Sequence, residues 1–465
     1  MAAKAWVPLC LLLLAGCSLE PPYARPAAPV PAAFPQASAA AEAAADLAWT
    51  DYFGDPNLQA IIRLALASNR DLRVSGLNVR RAQALYRIQR SQLWPSLGVE
   101  GVVDRYRVPA KVSPGGQAYV YSEDLLQVGT LSWELDFFGR IASLKDQALN
   151  QYLATEQAQA ASRIALVASV AQGYQAYAAD QESLRLAQDT LEAQQATRAM
   201  IQGSFEAGVA SQLDLSEATS QVEAARADQA RARGQVAADR NALDLLAGGP
   251  VPEQLLPADQ AAAGEPRDVP AGLPSQVLLR RPDILAAEFQ LKAANANIGA
   301  ARAAFFPSVS LTAGVGTMSP NLSGLFGAGS KTWLFNPQLL APIWAGGALK
   351  AGLEGAKVDR DIAVAQYEGA IQTAFREVAD GLARRSSLAD QVEAETALAA
   401  SLEDAQRLAR LRYQAGLDSY LAVLVAQRSL YAAQQGLVAT RLAFRNNQIT
   451  LYKALAGEGF SAGTL

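Results

Sequence analysis

The sequence predicts a mostly helical α+β fold, made twice over from one helix–strand–strand–helix unit. Three observations carry this. In residues 280–311 (RRPDILAAEFQLKAANANIGAARAAFFPSVSL), Ile284, Leu291, Ile298 and Phe305 recur every seventh residue, with Ala287, Ala294 and Ala301 between them. That is an a/d seam with small residues at d, which lets a neighbouring helix approach closely. Pro307 then ends the helix, because Phe306 before it is pushed towards extended geometry. From Val309 the period changes to two: Val309, Leu311, Ala313 and Val315 alternate with Ser310, Thr312, Gly314 and Gly316. The same unit occurs earlier, with Leu72, Val79, Tyr86 and Leu93 as the seam, Pro95 as the break, and Leu97, Val99 and Gly101 opening a strand. Asp71 to Asp283 (283 − 71) and Pro95 to Pro307 (307 − 95) are both 212 residues apart. Phe205-Glu206-Ala207-Gly208 also matches Tyr413-Gln414-Ala415-Gly416, and Leu246-Ala247-Gly248 matches Leu455-Ala456-Gly457. Matches that keep their order across both halves mark a duplication.

By length alone, 465 residues suggest about three domains. Duplication reduces this to two repeats sharing one elongated structure. With 40 Lys+Arg against 44 Asp+Glu, the balance argues against a nucleic-acid partner. The chain has no His, which removes the commonest general base and metal ligand together.

Lys4, the apolar run Trp6 to Leu14, and Leu14-Ala15-Gly16-Cys17 predict a secretory signal over 1–16, too short to span a bilayer. The Leu-Ala-Gly-Cys ending resembles the bacterial lipoprotein signal, in which Cys17 is acylated and opens the mature chain. The alternative is an ordinary secretory signal with a chance Cys. Ser18 in place of Asp implies, by the same resemblance, sorting to the outer membrane. Cys10 leaves with the signal and Cys17 carries lipid, so no thiol remains for disulfide, metal or catalysis. Residues 17–50 are rich in Pro and Ala and read as an extended tether without a core of its own.

The first repeat covers 51–249. Asp55-Pro56 opens a short amphipathic helix carrying Leu58, Ile61, Ile62 and Leu66, and the seam helix runs from Asn69 to Leu93. A strand follows from Leu97 to about Arg107, then an exposed turn over Pro109–Gly116. The second strand continues to Phe137, with Leu131, Trp133, Leu135 and Phe137 on one face and Ser132, Glu134 and Asp136 on the other. Such faces suit a wall between lipid and water, and Trp94, Trp133, Trp333 and Trp344 suit interfacial girdles. The strands alone fit a soluble half-buried sheet equally well. A helix without Pro runs from Gly139-Arg140 to about Gly203, roughly 95 Å if unbroken, and another from about Gln212 to Leu246. Residues 250–273, with Pro250, Pro252, Pro257, Pro266 and Pro270, form the crossover, and Pro274 closes it. The second repeat, 274–460, has a seam helix, a strand, a strand to about Trp344, a long helix from Gly347 to about Gln414, and a last helix to Leu455. Residues 461–465 form a tail.

Four strands cannot close a membrane barrel, since no edge survives in lipid and the smallest barrels have about eight. Several protomers must each contribute a share, and the long amphipathic helices would close beside one another into a second, helical barrel.

The motifs Leu14 to Cys17, WELDFFGR over 133–140, Arg281-Pro282-Asp283-Ile284, AAFFP over 303–307 and YKALAG over 452–457 then carry a family resemblance. The chain resembles an outer-membrane factor of the TolC/OprM type, in its NodT-like lipoprotein branch, over nearly the whole mature length. The resemblance implies a homotrimer with a 12-strand β-barrel in outer-membrane lipid, continuous with a 12-helix periplasmic α-barrel. It implies the exit duct of a tripartite RND-type multidrug pump in a Gram-negative cell. An inner-membrane transporter and a periplasmic membrane-fusion adaptor would deliver the cargo, with no cofactor and no nucleic acid. It also places a periplasmic gate at Asp418, Tyr420, Leu421, Val425 and Arg428. Leu421 corresponds to an apolar ring residue and Arg428 to its basic partner. Val425 stands where the family often has an Asp, so the polar lock is absent or carried by another carboxylate such as Asp418. Gly416 would end the longer helix in left-handed geometry, and Asp418 or Ser419 would cap the next. The residues alone leave a plainer alternative open, in which Leu421, Leu424 and Tyr431 only pack one helix on its neighbour.

Enzyme chemistry finds no support. Gly324 to Thr332 (GLFGAGSKT) has Ser330 between Gly329 and Lys331 and lies between two strands, so it reads as a hairpin loop and not a phosphate-binding loop. Without His the usual triad cannot form. Glu393 and Glu395 read as solvated helical surface. A passive export duct is therefore expected. A non-transporting periplasmic coiled-coil structural or adaptor lipoprotein comes second, and a periplasmic hydrolase last.

Overall fold

The computed structural model describes residues 18–34, 48–267 and 275–455. The signal, Cys17 and the tail lie outside them. The elements are α1 (Pro56–Ser68), α2 (Arg70–Ser91), β1 (Gly98–Val108), β2 (Tyr119–Leu135), α3 (Arg140–Glu206) and α4 (Gln212–Ala247). They continue as α5 (Pro282–Ala303), β3 (Ser308–Ser319), β4 (Lys331–Leu340), α6 (Ala348–Gln414) and α7 (Tyr420–Leu455). The helix–strand–strand–helix order therefore occurs twice. α3 and α6 each run 67 residues without a break, about 100 Å at 1.5 Å per residue. α2 and α5 both stop four residues short of their prolines, at Ser91 before Pro95 and at Ala303 before Pro307. The chain divides into two compact units, one of Met1–Ala27, Asn78–Glu156 and Ala286–Tyr367, the other of Ala28–Leu77, Gln157–Leu285 and Glu368–Leu465.

The first unit holds an antiparallel sheet in the order β1-β2-β3-β4. Its register sorts the side chains by row. Val99, Val128, Val315 and Trp333 stand opposite one another across all four strands. Trp133, Leu311 and Pro337 form another row, and Leu135, Val309 and Leu339 a third on the same face. The rows between them belong to the other face: Glu100, Gln127, Gly316 and Thr332, and then Glu134, Ser310 and Gln338. One face is mainly apolar, with Asp124 and Lys331 near one end of the strands, and the other mainly polar, with the row Val102, Leu125 and Met318 as its exception. β1 pairs only with β2 and β4 only with β3, so the described sheet ends on two unpaired edges.

One expectation on β2 is corrected. The pairing shifts between Thr130, opposite Ala313, and Trp133, opposite Leu311, so β2 carries one extra residue there. Ser132 adopts φ 54°, the one left-handed non-glycine among the described residues. The bulge reverses the alternation, and Leu131 does not share the face of Trp133 and Leu135. β4 also ends at Leu340, leaving Trp344 beyond the strand and 88% exposed. Trp94 and Trp333 are exposed as well, whereas Trp133 is half-buried.

The tether is likewise more than a spacer. Residues 18–25 lie along α5, where Arg25 and Tyr23 hydrogen-bond Glu288, Asn295 holds the Pro21 carbonyl, and Arg302 holds that of Leu19. On α5, Ile284, Leu291 and Ile298 are buried, as the seam predicts. Its buried alanines, however, are Ala293, Ala296, Ala300 and Ala303, while Ala287, Ala294 and Ala301 stay half-exposed. On α2 the seam residues Leu72, Val79 and Tyr86 are only half-buried, and none of its residues is fully buried.

In the second unit Asp55 caps α1 through the Asn57 amide at 2.8 Å, and Leu58, Ile61, Ile62 and Ala65 are buried. Asn69 joins α1 to α2, donating to the Leu246 carbonyl at 2.9 Å and accepting from the Leu72 amide. Tyr52 stacks on Tyr452 at 4.7 Å. Buried Arg281, from the RPDI motif, binds Asp283, Glu377 and the Ala454 carbonyl. A Cβ on Gly381 would lie 2.6 Å from Leu451, so α6 and α7 approach closely there. The matched glycines Gly208 and Gly416 both take left-handed geometry, with φ 73° and 71°.

Candidate functional site

The α6–α7 turn is built by Gly416. At φ 71° it lets the Gly416 and Leu417 amides turn back onto the carbonyls of Tyr413 and Arg412, at 2.9 Å each. The turned-back chain brings Asp418 to Arg412, whose Nε and Nη2 donate to the carboxylate at 2.6 and 3.2 Å. That pair holds the Asp418 carboxyl below its ordinary value. Among the described residues the ion-pair partner of Asp418 is Arg412 and not Arg428, and nothing in the sequence reading singled out Arg412. An Arg six positions before an Asp, with Gly between, was the available signal.

Tyr420 opens α7 and is 4% exposed, packed with Ile201, Ala218, Val423 and Leu424. Burial pushes its phenol up to about 12. Its ring packs into its own protomer's core, about 100° round the helix from Leu421.

Leu421 is 59% exposed and Val425 57%, and Arg428 is exposed too. Their i, i+4, i+7 spacing puts all three on one face of α7. The plainer packing reading holds for Leu424, 5% exposed, and in part for half-buried Tyr431, but not for Leu421. Among the described residues Arg428 forms no ion pair, and Val425 offers it none. The exposed face is thus two apolar side chains followed by one cation.

Pro95 and Pro307 sit in the short links before β1 and β3. Residues 320–330 link β3 to β4, so Gly324 to Ser330 lie in the hairpin loop while Lys331 and Thr332 open β4. Among the described residues, no three Cys, Asp or Glu gather as a metal site would need, and no helix is long and apolar enough to cross a membrane.

A model of the outer membrane efflux protein family matches residues 61–249 and 273–457. The chain is similar to the toluene efflux pump outer membrane protein TtgC of Pseudomonas putida, 47% identical over 451 residues, 96% of this chain and 93% of that one. It is similar to the outer membrane protein OprJ of Pseudomonas aeruginosa, 43% identical over 454 residues, 97% of this chain and 94% of that one. Among solved structures, the open state of the Neisseria gonorrhoeae MtrE outer membrane channel superposes with a TM-score of 0.86 at 38% identity, covering 96% of this chain and 99% of that one.

Proposed function

This chain belongs to the outer membrane efflux protein family, and from that premise we propose that three copies close a 12-strand barrel in the outer membrane, continued by a 12-helix tunnel in the periplasm. The chain is a channel component of an efflux pump and not an enzyme. One observation carries the trimer: a four-stranded sheet with a mainly apolar face, a mainly polar face and two unpaired edges. In lipid those edges must be paired, and pairing β4 of one copy with β1 of the next closes the wall with lipid outside and water within.

The two repeats, 51–249 and 274–460, are joined by the crossover 250–273, after a signal over 1–16 and a tether over 17–50 that starts at acylated Cys17. The cargo class follows the relatives' names, toluene and other solvents or antibiotics. A periplasmic adaptor and an RND-type inner-membrane transporter deliver it, and the duct selects little. Leu421 from three copies forms an apolar constriction at the periplasmic end, backed by Val425, with Arg428 beyond it. Pro95 and Pro307 mark the helix-to-strand breaks of the two repeats.

Cross-linking of the purified protein in mild detergent tests the assembly, together with conductance in planar bilayers. The expected result is a heat-modifiable trimer that forms conducting channels. A monodisperse monomer retaining its full strand signal would overturn the barrel.

A further inference from the structure

The docked tether points to a seat for the lipid itself. Tyr23 and Arg25 lie on Glu288 of α5, the Pro21 carbonyl on Asn295 at 2.8 Å, and the Leu19 carbonyl on Arg302 at 3.0 Å. Between them, Glu20 passes so close to Gly299 that a Cβ there would lie 3.0 Å from the Glu20 Cα. The chain therefore runs antiparallel to the helix. From Arg25 to Leu19 it covers the rise from Glu288 to Arg302, about 21 Å, close to the reach of six extended residues. Positions 288, 295, 299 and 302 share one stripe of α5, and the next turn on that stripe is Phe306.

Cys17 lies two positions before Leu19, and two residues can reach about 7 Å, far enough past Arg302 to meet Phe306 and Pro307. A recess of about 490 Å³ opens there, lined by Leu135, Phe137, Phe138, Ala303, Phe306 and Pro307. Phe138 stacks on Phe306 at 4.8 Å, yet Phe137 and Phe306 remain 40% and 43% exposed. Its wall also holds Glu134 and Arg140, paired at 2.5 Å, and Asp136, whose carboxylate accepts from the Ala142 amide at 2.7 Å. The recess is thus mainly apolar with a polar wall, open, and two residues from the last fixed point of the tether.

We propose that this recess receives a fatty chain borne by Cys17, with Asn295, Gly299 and Arg302 acting as positioning residues that aim the anchor at it. This rests on the reading that Cys17 is acylated. Acylation covers ring surface that the chain leaves open, and it ties the anchor to the helix–strand junction instead of leaving it loose in the bilayer.

The full-length trimer is tested as it is made in cells fed a fatty acid that carries a photoreactive diazirine. The intact mass of the mature N-terminus reports acylation. Irradiation followed by peptide mapping reports where the acyl chain lies. The expected result is an acylated N-terminal peptide joined to residues 135–138 and 303–307, with several-fold loss of these links in Arg302→Ala at unchanged acyl mass. An unacylated N-terminus would overturn the lipid reading and the recess with it. An acylated N-terminus linked instead to phospholipid or to the outward strand residues Val99 and Leu339 would overturn the recess alone. Links that persist unchanged in Arg302→Ala would overturn the positioning role.

Discussion

Leu421→Ala should open the channel, and the size of the effect follows from exposure. Leu421 is 59% exposed within its own chain. Fully burying a Leu contributes about 1.5–3 kcal/mol, so closing a ring over the exposed part recovers about 1–2 kcal/mol per copy. Three copies give about 3–5 kcal/mol. Truncation to Ala removes most of this, and at about 1.4 kcal/mol per decade the open-to-closed ratio should rise roughly a hundredfold. Val425, 57% exposed one turn further on, keeps part of the seal and sets the lower bound nearer tenfold. Single-channel recording in planar bilayers reads the change as open probability or conductance. Arg428→Ala should do little, because no carboxylate meets Arg428 within the described chain. Raising salt from about 0.1 to 1 M shortens the screening length from about 10 to 3 Å and weakens ion pairs, but leaves an apolar ring closed. Leu424→Ala, at a residue 5% exposed, should loosen the fold without selectively opening the channel. If Arg428→Ala or high salt opens the channel while Leu421→Ala does not, the gate is polar and the reasoning fails.

Three further outcomes are expected. Asp180 on α3 is pushed up to about 7 by burial and by its hydrogen bond to Asp239 on α4; a raised carboxyl contributes stability at low pH that is lost as pH rises from about 4 to 7. Asp239→Asn should therefore raise the urea midpoint at pH 8 and change it little at pH 5, and an unraised midpoint at pH 8 would refute the shared proton. Burial pushes Glu288 up, but hydrogen bonds from Arg25 and Lys292 outweigh it and hold the carboxyl below its ordinary value. Its contribution is then present above about pH 4.5 and lost on acidification through the lowered value. Glu288→Ala should speed amide exchange in residues 19–25 about tenfold, the low end for a broken buried pair because Arg25 is 47% exposed and can rehydrate; unchanged exchange would show that the tether is held elsewhere. Gly129→Val places a Cβ 2.1 Å from the Ala313 carbonyl oxygen, so heat-modifiable trimers should be lost while helical circular dichroism persists.

What the sequence made legible was whatever a short window encodes. Heptads gave the seam helices, alternation gave the strands, and Gly-ended helices gave the turns at Gly208 and Gly416. What it hid needed a partner distant in the chain. Nothing in Thr130-Leu131-Ser132-Trp133 marks a bulge, because the run alternates as well as any strand and contains no glycine; the extra residue is visible only against Ala313 and Leu311. The tether's composition correctly denies it a core of its own, but says nothing of borrowing one. A signal did exist on the other side. Glu288, Asn295, Gly299 and Arg302 form a polar and small stripe on a helix otherwise read as an apolar seam, and a buried carboxylate on such a helix requires donors from somewhere. At the gate, the resemblance supplied Tyr420 and Leu421 together, and only packing separates a core residue from an exposed one at adjacent positions.

The duplication also explains where the halves should differ. α2 and α5 occupy matching places and share spacing, seam and proline break, yet α5 buries Ile284, Leu291 and Ile298 while α2 fully buries nothing. The tether breaks the symmetry, since it lies on α5 and, among the described residues, no matching segment lies on α2. On α2, Val74, Leu77, Leu85 and Ile88 stay 52–61% exposed. A repeat that keeps an apolar surface after its twin has been covered needs another covering, and in the proposed ring of copies the neighbour's helices would supply it. The unpaired strand edges require a neighbour on the same grounds, from backbone hydrogen bonding alone. Two separate physical demands, one from side chains on α2 and one from the edges of β1 and β4, thus lead to the same closed assembly.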